Sequence, residues 1–226
     1  GRDSKGQHVA NLLAFQPGEQ SAKVIDLRDY EQAEYLVLAT RRGLVKKTRL
    51  AEYDSPRSGG LIAINLREYE AGVPYEVVSA ALVNDGDELM LVSRNGQAVR
   101  FRADADQLRP MGRATSGVTD IKFEGDDELL AMDVVGPQSF LVTVTDGGYA
   151  KRSDVHRVNR DGNLDYRRTN RGTKGVRAVR LPDGRGNLVG AKMSRPATRC
   201  WWSWRAARWS APASTRSRST GATRPA

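Results

Sequence analysis

Along the first 194 residues, apolar side chains gather in short runs bounded by glycine and charged turns. None of these stretches carries a helical period long enough for an amphipathic helix. Three of the runs, residues 36–40, 89–93 and 140–144, are apolar and β-branched, and each leads into a turn dipeptide: Arg42-Gly43, Asn95-Gly96 and Asp146-Gly147. Asn-Gly and Asp-Gly favour positive φ at both central positions, so the pattern predicts three two-residue β-hairpins superposed on Gly43, Gly96 and Gly147. Further apolar runs at residues 24–27, 77–83 and 129–135 supply additional strands.

Between these hairpins a second unit returns every 54 to 58 residues: a small, basic or polar stretch, a glycine, then a short β-patterned run. Its copies are SKGQHVANL at residues 4–12, RSGGLIAINL from Arg57, TSGVTDIKF from Thr115 and TKGVRAVRL from Thr173. Counting from Gly6, Gly60, Gly117 and Gly175, the fourth residue on is Ala10, Ile64, Ile121 or Val179, and the sixth is Leu12, Leu66, Phe123 or Leu181. Repetition at this period dictates architecture. Each period holds about four short strands, so one period is expected to form one four-stranded blade, with blades stacked radially because none can bury both faces alone.

Composition narrows the function. No run is long and apolar enough to cross a membrane, and no hydrophobic signal segment opens the chain, so a cytoplasmic protein is expected. Cys200 is the only cysteine, which excludes an intramolecular disulfide framework and a Cys-rich zinc site. The formal net charge of +9 invites a nucleic-acid reading until it is partitioned: residues 195–226 hold seven arginines and no acid, leaving only +2 on the first 194 residues. That tail also gathers all four tryptophans in an unpatterned mixture. With GC-rich codons read from the third nucleotide, it yields a string patterned like YLVLATRRGLVKKTRL, so the expected fold runs over residues 1–194 and the tail is read as frame-shifted or disordered.

Enzymatic chemistry finds no foothold. His8 and His156 lie in different repeats without metal-ligand spacing, and there is no phosphate-binding G-x-x-x-x-G-K-[ST] string or nucleophile elbow. Basic residues do recur with the blade. Four positions after the superposed glycines come Lys47, Arg100 and Lys151, flanked by Lys46, Arg49, Arg102 and Arg152. Cations at one strand position in every blade would fall at one height, giving a positive outer rim. A second set, Arg57, Arg109, Arg113, Arg167, Arg168, Arg171 and Lys174, sits beside the repeated glycines, where Gly172 and Gly175 would let backbone approach a phosphate. Little aromatic residue is interleaved, which favours duplex backbone over single strands.

The strings GQHVANLLAF, YLVLATRRGLVKK, RSGGLIAINL, LRPMGRATSGV and GGYAKR together resemble the C-terminal domain of the A subunit of bacterial DNA gyrase, particularly of the actinobacterial kind, over nearly all of residues 5–193. The resemblance implies an all-β pinwheel: a six-bladed, propeller-like disc whose neighbouring blades exchange strands. This chain would hold the end of the first blade, the second to fourth, and the start of the fifth, a partial disc of about three to four blades. It also implies that duplex DNA is wrapped around a basic rim in support of ATP-dependent negative supercoiling by a type II topoisomerase. The B subunit of gyrase and a second A subunit would be partners, ATP and Mg2+ would act on other domains, and the cleavage tyrosine would lie outside this chain. The family's heptapeptide QRRGGKG is absent; residues 169–175, TNRGTKG, keep R-G-x-K-G, so Arg171, Gly172, Lys174 and Gly175 are carried over as a degenerate copy. The alternative is a β-propeller scaffold for protein interactions in which the basic loops are incidental.

Overall fold

Three antiparallel hairpins organise the chain: β1 (Tyr35–Thr40) with β2 (Leu44–Arg49), β4 (Glu88–Ser93) with β5 (Gln97–Arg102), and β8 (Phe140–Thr145) with β9 (Ala150–Asp154). The structure is a computed structural model that describes residues 5–8, 11, 13, 15, 19–56, 60–66, 76–181 and 186–195. Arg57 and the tail from residue 196, with its frame-shift reading, lie outside the described residues, as does much of the first glycine-led copy.

The hairpin turns differ from the expected two-residue form. Gly43 N–H donates to Thr40 O at 2.9 Å, Gly96 N–H to Ser93 O at 3.1 Å and Gly148 N–H to Thr145 O at 3.0 Å. In each turn only the glycine has positive φ, at 78°, 81° and 81°. These are three-residue loops, a type I turn closed by one left-handed residue. A hydroxyl locks each: Thr40 Oγ1, Ser93 Oγ and Thr145 Oγ1 accept from Leu44, Gln97 and Tyr149 N–H at 3.1, 3.0 and 3.2 Å. The third turn therefore belongs to Gly148, not Gly147. That one-residue slip moves every side chain of β9 to the other face. Val37↔Lys47, Met90↔Arg100 and Val142↔Arg152 are the matching pairs, so Arg152, not Lys151, is the counterpart of Lys47 and Arg100.

The remaining strands are β3 (Val77–Val83), β6 (Val118–Thr119), β7 (Leu129–Val135), β10 (Val176–Arg177) and β11 (Leu188–Ser194), with a short 3-10 helix at Leu50–Tyr53. They give sheets ordered β3-β1-β2-β6, β10-β5-β4-β7 and β11-β8-β9. One period is thus not one sheet. Each hairpin takes a strand from the apolar run that follows it, and β2 and β5 each take a further strand from a glycine-led segment, β6 and β10. The run at residues 24–27 is not a strand, and Val24 is exposed, because no hairpin among the described residues lies beside it.

Stacking fills the space between sheets. Leu89, Leu91, Val99 and Phe101 of the second sheet point into one cluster with Val37, Ala39, Val45 and Val83 of the first. Met90, Val92 and Ala98, on the opposite face, join Leu141 and Leu188 of the third and Val155 just after β9. A sheet covered on both faces needs continuous apolar strands, which is why residues 89–92 do not alternate. The glycine-led segments lie almost on the hairpin backbone: a Cβ on Gly117 would stand 2.8 Å from Val45 O, and one on Gly175 would overlap Ala98 O. Only glycine fits, and both also hold positive φ, 90° and 73°.

Candidate nucleic-acid interface

Three of the strand cations expected on an outer rim, Lys46, Lys47 and Arg100, are buried, whereas Arg49, Arg102, Lys151 and Arg152 are exposed. Lys46 and Lys47 are 0% exposed and Arg100 is 3% exposed. Lys47 Nζ donates to Ala103 O and pairs with Asp85 Oδ1 at 3.1 Å, lying 4.2 Å from the Tyr35 ring centroid. Arg100 occupies the same position one hairpin on. Its Nε donates to Glu88 Oε2 at 2.7 Å and Nη1 to Val155 O at 2.8 Å and Tyr166 O at 3.3 Å. Ala103 and Val155 each stand seven residues after a hairpin glycine, Gly96 and Gly148. The recurring cation therefore ties its own hairpin to a main-chain carbonyl beyond the next one. A charge can stand there because its partners replace water, which rim exposure would have made unnecessary.

Position eight before each hairpin glycine supplies the matching partner: Tyr35, Glu88 and Phe140. In the third hairpin Arg152 lies over Phe140 at 4.8 Å but is exposed. Lys46 and Lys151 form a second equivalent pair. Lys46 Nζ donates to Ala63 O at 2.6 Å, and also to Arg113 O, while Tyr53 Oη–H donates to Ala63 O at 3.3 Å. Lys151 Nζ donates to Ala178 O at 2.9 Å and Tyr166 Oη–H to the same oxygen at 3.4 Å. Ala63 and Ala178 are both the third residue after a repeated glycine. These cations hold main chain.

The loop between β9 and β10 also faces solvent. Arg167, Arg168, Arg171 and Lys174 are exposed there; Arg168 pairs with Glu88 and Lys174 with Glu124. Among the described residues, Arg102, Arg167 and Arg171 form no ion pair with a carboxylate. Arg171 N–H donates to Gln107 Oε1 at 3.3 Å, and Gly172 N–H to Asp120 O at 2.7 Å, so the loop is pinned while its guanidinium stays in solvent. Arg102 is exposed at the end of β5, Arg113 is half-buried, and Gly175 spends its missing Cβ on Ala98 O. Sequence reasoning missed Arg157 and Arg177, which with Lys151, Arg152, Asp154 and Asp165 line an open cleft of about 380 Å³. Arg177 stood in the repeated segment two residues after Gly175, where alternation alone would have turned it outward.

Beneath this loop lies Asp120, fully buried with neither carboxylate oxygen hydrogen-bonded. Burial pushes its carboxyl up from 3.8 to about 8, against a smaller downward pull from Arg171. Burial likewise lowers the Lys46 ammonium from 10.5 to about 8. The folded state holds the extra Asp120 proton, so stability falls as pH rises from about 4 to about 8; above that the unfolded state binds more protons at Lys46, and stability recovers toward about 10.5. Urea midpoints are expected to pass through a minimum near pH 8, and Asp120→Asn is expected to flatten the acid-side fall. A midpoint that rises between about pH 5 and pH 8 in the unaltered chain would contradict this.

The family model described as DNA gyrase C-terminal domain, beta-propeller, matches residues 34–72, 87–136 and 139–194. The A subunit of DNA gyrase from Streptomyces coelicolor is 55% identical over 191 residues, 84% of this chain and 21% of that protein. Its counterpart from Mycobacterium tuberculosis is 52% identical over 190 residues, with the same coverages of 84% and 21%. This chain therefore spans about one fifth of the length of the curated relatives it matches. A solved C-terminal domain of DNA topoisomerase IV superposes with a TM-score of 0.68 at 26% identity, over 84% of this chain and 55% of that one. A DNA gyrase A C-terminal domain superposes with a TM-score of 0.69 at 23% identity, over 85% and 60%, and speaks to the fold alone.

Proposed function

Since the chain belongs to the DNA gyrase C-terminal domain family, we propose that it holds duplex DNA by its phosphates and bends it. The single observation that carries this reading is the partition of cations: Lys46, Lys47 and Arg100 are consumed inside, whereas residues 167–174, a segment without an acidic residue, keep four cations exposed. Arg102, Arg113, Arg167, Arg171 and Lys174 are the proposed phosphate contacts. Lys46, Lys47 and Arg100 support the sheets that present them. Gly172 and Gly175 shape the loop through their positive φ, 71° and 73°. The Lys174–Glu124 pair is exposed at 66% and 62%, so it opens readily to a phosphate.

Contacts of this kind carry no base readout, so affinity falls steeply with salt and sequence preference is weak. Bending a duplex over one such surface costs several kcal/mol, on the order of 1–6 for a short arc, and contacts along the arc must offset it. In a gyrase A subunit of the relatives' length, the bent segment would serve ATP-dependent negative supercoiling. The partners there would be the B subunit of gyrase and a second A subunit, with ATP and Mg2+ held by other parts, in the cytoplasm at the nucleoid.

A mobility shift with relaxed circular duplex, followed by ligation and topology analysis, tests the proposal. Binding with a shifted linking-number distribution is expected. Arg167→Ala with Arg171→Ala should lower the magnitude of the logarithmic salt slope by about 2, one for each phosphate no longer neutralised. A protein-interaction scaffold would neither bind the circle nor alter its topology, and salt-independent binding would also overturn the reading.

A further inference from the structure

Among the described residues, two of the three sheets have four strands and the third has three. The strand it lacks is the one that a glycine-led segment supplies elsewhere: β6 lies on β2 and β10 on β5, but among the described residues no strand lies on the outer edge of β9. Burial follows that difference. Four of the six residues in β2 and in β5 are buried, whereas Ala150, Lys151, Arg152 and Asp154 of β9 are exposed. The chain also carries the complementary piece. Residues 60–66 repeat the glycine-led pattern but form no strand, and Ile62 and Leu66 are 69% and 43% exposed.

This segment is already shaped to dock. Gly60 has a φ of 76°, between the 90° of Gly117 and the 73° of Gly175, although a Cβ there would meet nothing within 4 Å. The conformation that elsewhere lets backbone meet backbone is held here with no backbone opposite. We propose that residues 60–66 of one copy of this chain add to the outer edge of β9 of another, joining copies head to tail.

The docked pairs fix the register. Val45↔Val118 and Ala98↔Val176 place the residue after the glycine opposite the second residue after the hairpin glycine, so Leu61 falls opposite Ala150. Asp120 N–H donates to Gly43 O at 3.1 Å and Ala178 N–H to Gly96 O at 2.9 Å; the corresponding bond joins Ala63 N–H to Gly148 O of the second copy. Gly60 then stands over Ala150 O, as Gly117 stands over Val45 O and Gly175 over Ala98 O. Ile64 enters the place that Ile121 and Val179 fill, 1% and 7% exposed. Edge addition of this kind draws affinity from main-chain bonds and specificity from alternate side chains. Because donor and acceptor are different surfaces, the contact is heterologous and each copy keeps one of each to offer.

Sedimentation equilibrium of the full chain over a wide concentration range tests this, with two variants. Ala150→Pro removes an N–H that faces away from β8 and is tolerated at an edge. Gly60→Val strains the left-handed residue and sets a branched Cβ where Ala150 O would lie, whereas in the free chain that Cβ meets nothing within 4 Å. The unaltered chain should at least double its weight-average mass with concentration, and each variant alone should remain at 24.9 kDa. An equimolar mixture of the two variants should form a species of twice the chain mass and stop there, since one retains only the donor and the other only the acceptor. Three results would overturn the proposal: an unaltered chain that stays single at every concentration; association that survives Gly60→Val, which would mean two β9 edges pairing with each other; or a mixture that does not associate. No DNA enters the measurement, so it is independent of the phosphate-binding reading.

Discussion

Arg100→Ala is expected to destabilise the fold by about 3–5 kcal/mol, the range for breaking a buried ion pair from one side. The guanidinium is 3% exposed, and its removal leaves Glu88 facing Arg168 alone and strips Val155 O and Tyr166 O of a donor. Thr169 N–H also donates to Arg100 O at 2.8 Å, so slack in β5 passes directly to the basic loop. A urea titration read by circular dichroism measures the loss. Arg102→Ala, two residues on and exposed, is the control and should shift stability by no more than about 0.5 kcal/mol. If Arg100→Ala unfolds at the same midpoint as Arg102→Ala while DNA affinity alone falls, the outer-rim placement would be right and the interior one wrong.

Gly175→Ala is expected to be almost as damaging, at about 3 kcal/mol or more, from a left-handed φ of 73° combined with a Cβ that overlaps Ala98 O. The neighbour is backbone of β5, which cannot swing aside as a side chain would. The informative comparison is Gly60→Ala. Its φ of 76° brings the same conformational penalty, about 1–2 kcal/mol, but nothing lies within 4 Å of the added methyl. Thermal unfolding of the two variants separates strain from collision. Equal losses would mean that β10 does not approach β5 as closely as its register requires.

Hairpin positions could be read from the chain because their causes are local. A β-branched run, a glycine that alone accepts positive φ, and a hydroxyl four residues before the N–H it accepts are all encoded within a dozen positions, as at Thr40, Gly43 and Leu44. The turn register at Gly147 and Gly148 was not legible. Both are glycine, both permit the turn, and only the hydroxyl bond from Thr145 and the pairing Val142↔Arg152 select Gly148. The direction of the recurring cation was also hidden. Lys47 and Arg100 recur as a surface residue would, yet their partners, Ala103 O and Val155 O, are main-chain atoms of the following hairpin that no side-chain pattern announces. A sequence signal did exist at Tyr35, Glu88 and Phe140, each able to neighbour a cation across the hairpin, but it has meaning only once the strands are paired.

The sequence by itself determined the all-β class, the period, the three hairpins and the glycines at the close approaches, because each depends on turn chemistry and on the two-residue alternation of a strand. Tertiary structure decided which strands share a sheet, which cations face water and, among the described residues, which edge carries no further strand. Those outcomes rest on contacts between segments roughly 40 to 80 positions apart, as in Val37↔Ala81 and Ala98↔Val176. A charge recurring at one strand position looks the same whether water or a distant carbonyl meets it. The free energy of a buried cation depends wholly on which of these it meets, and the folded neighbours supply that partner.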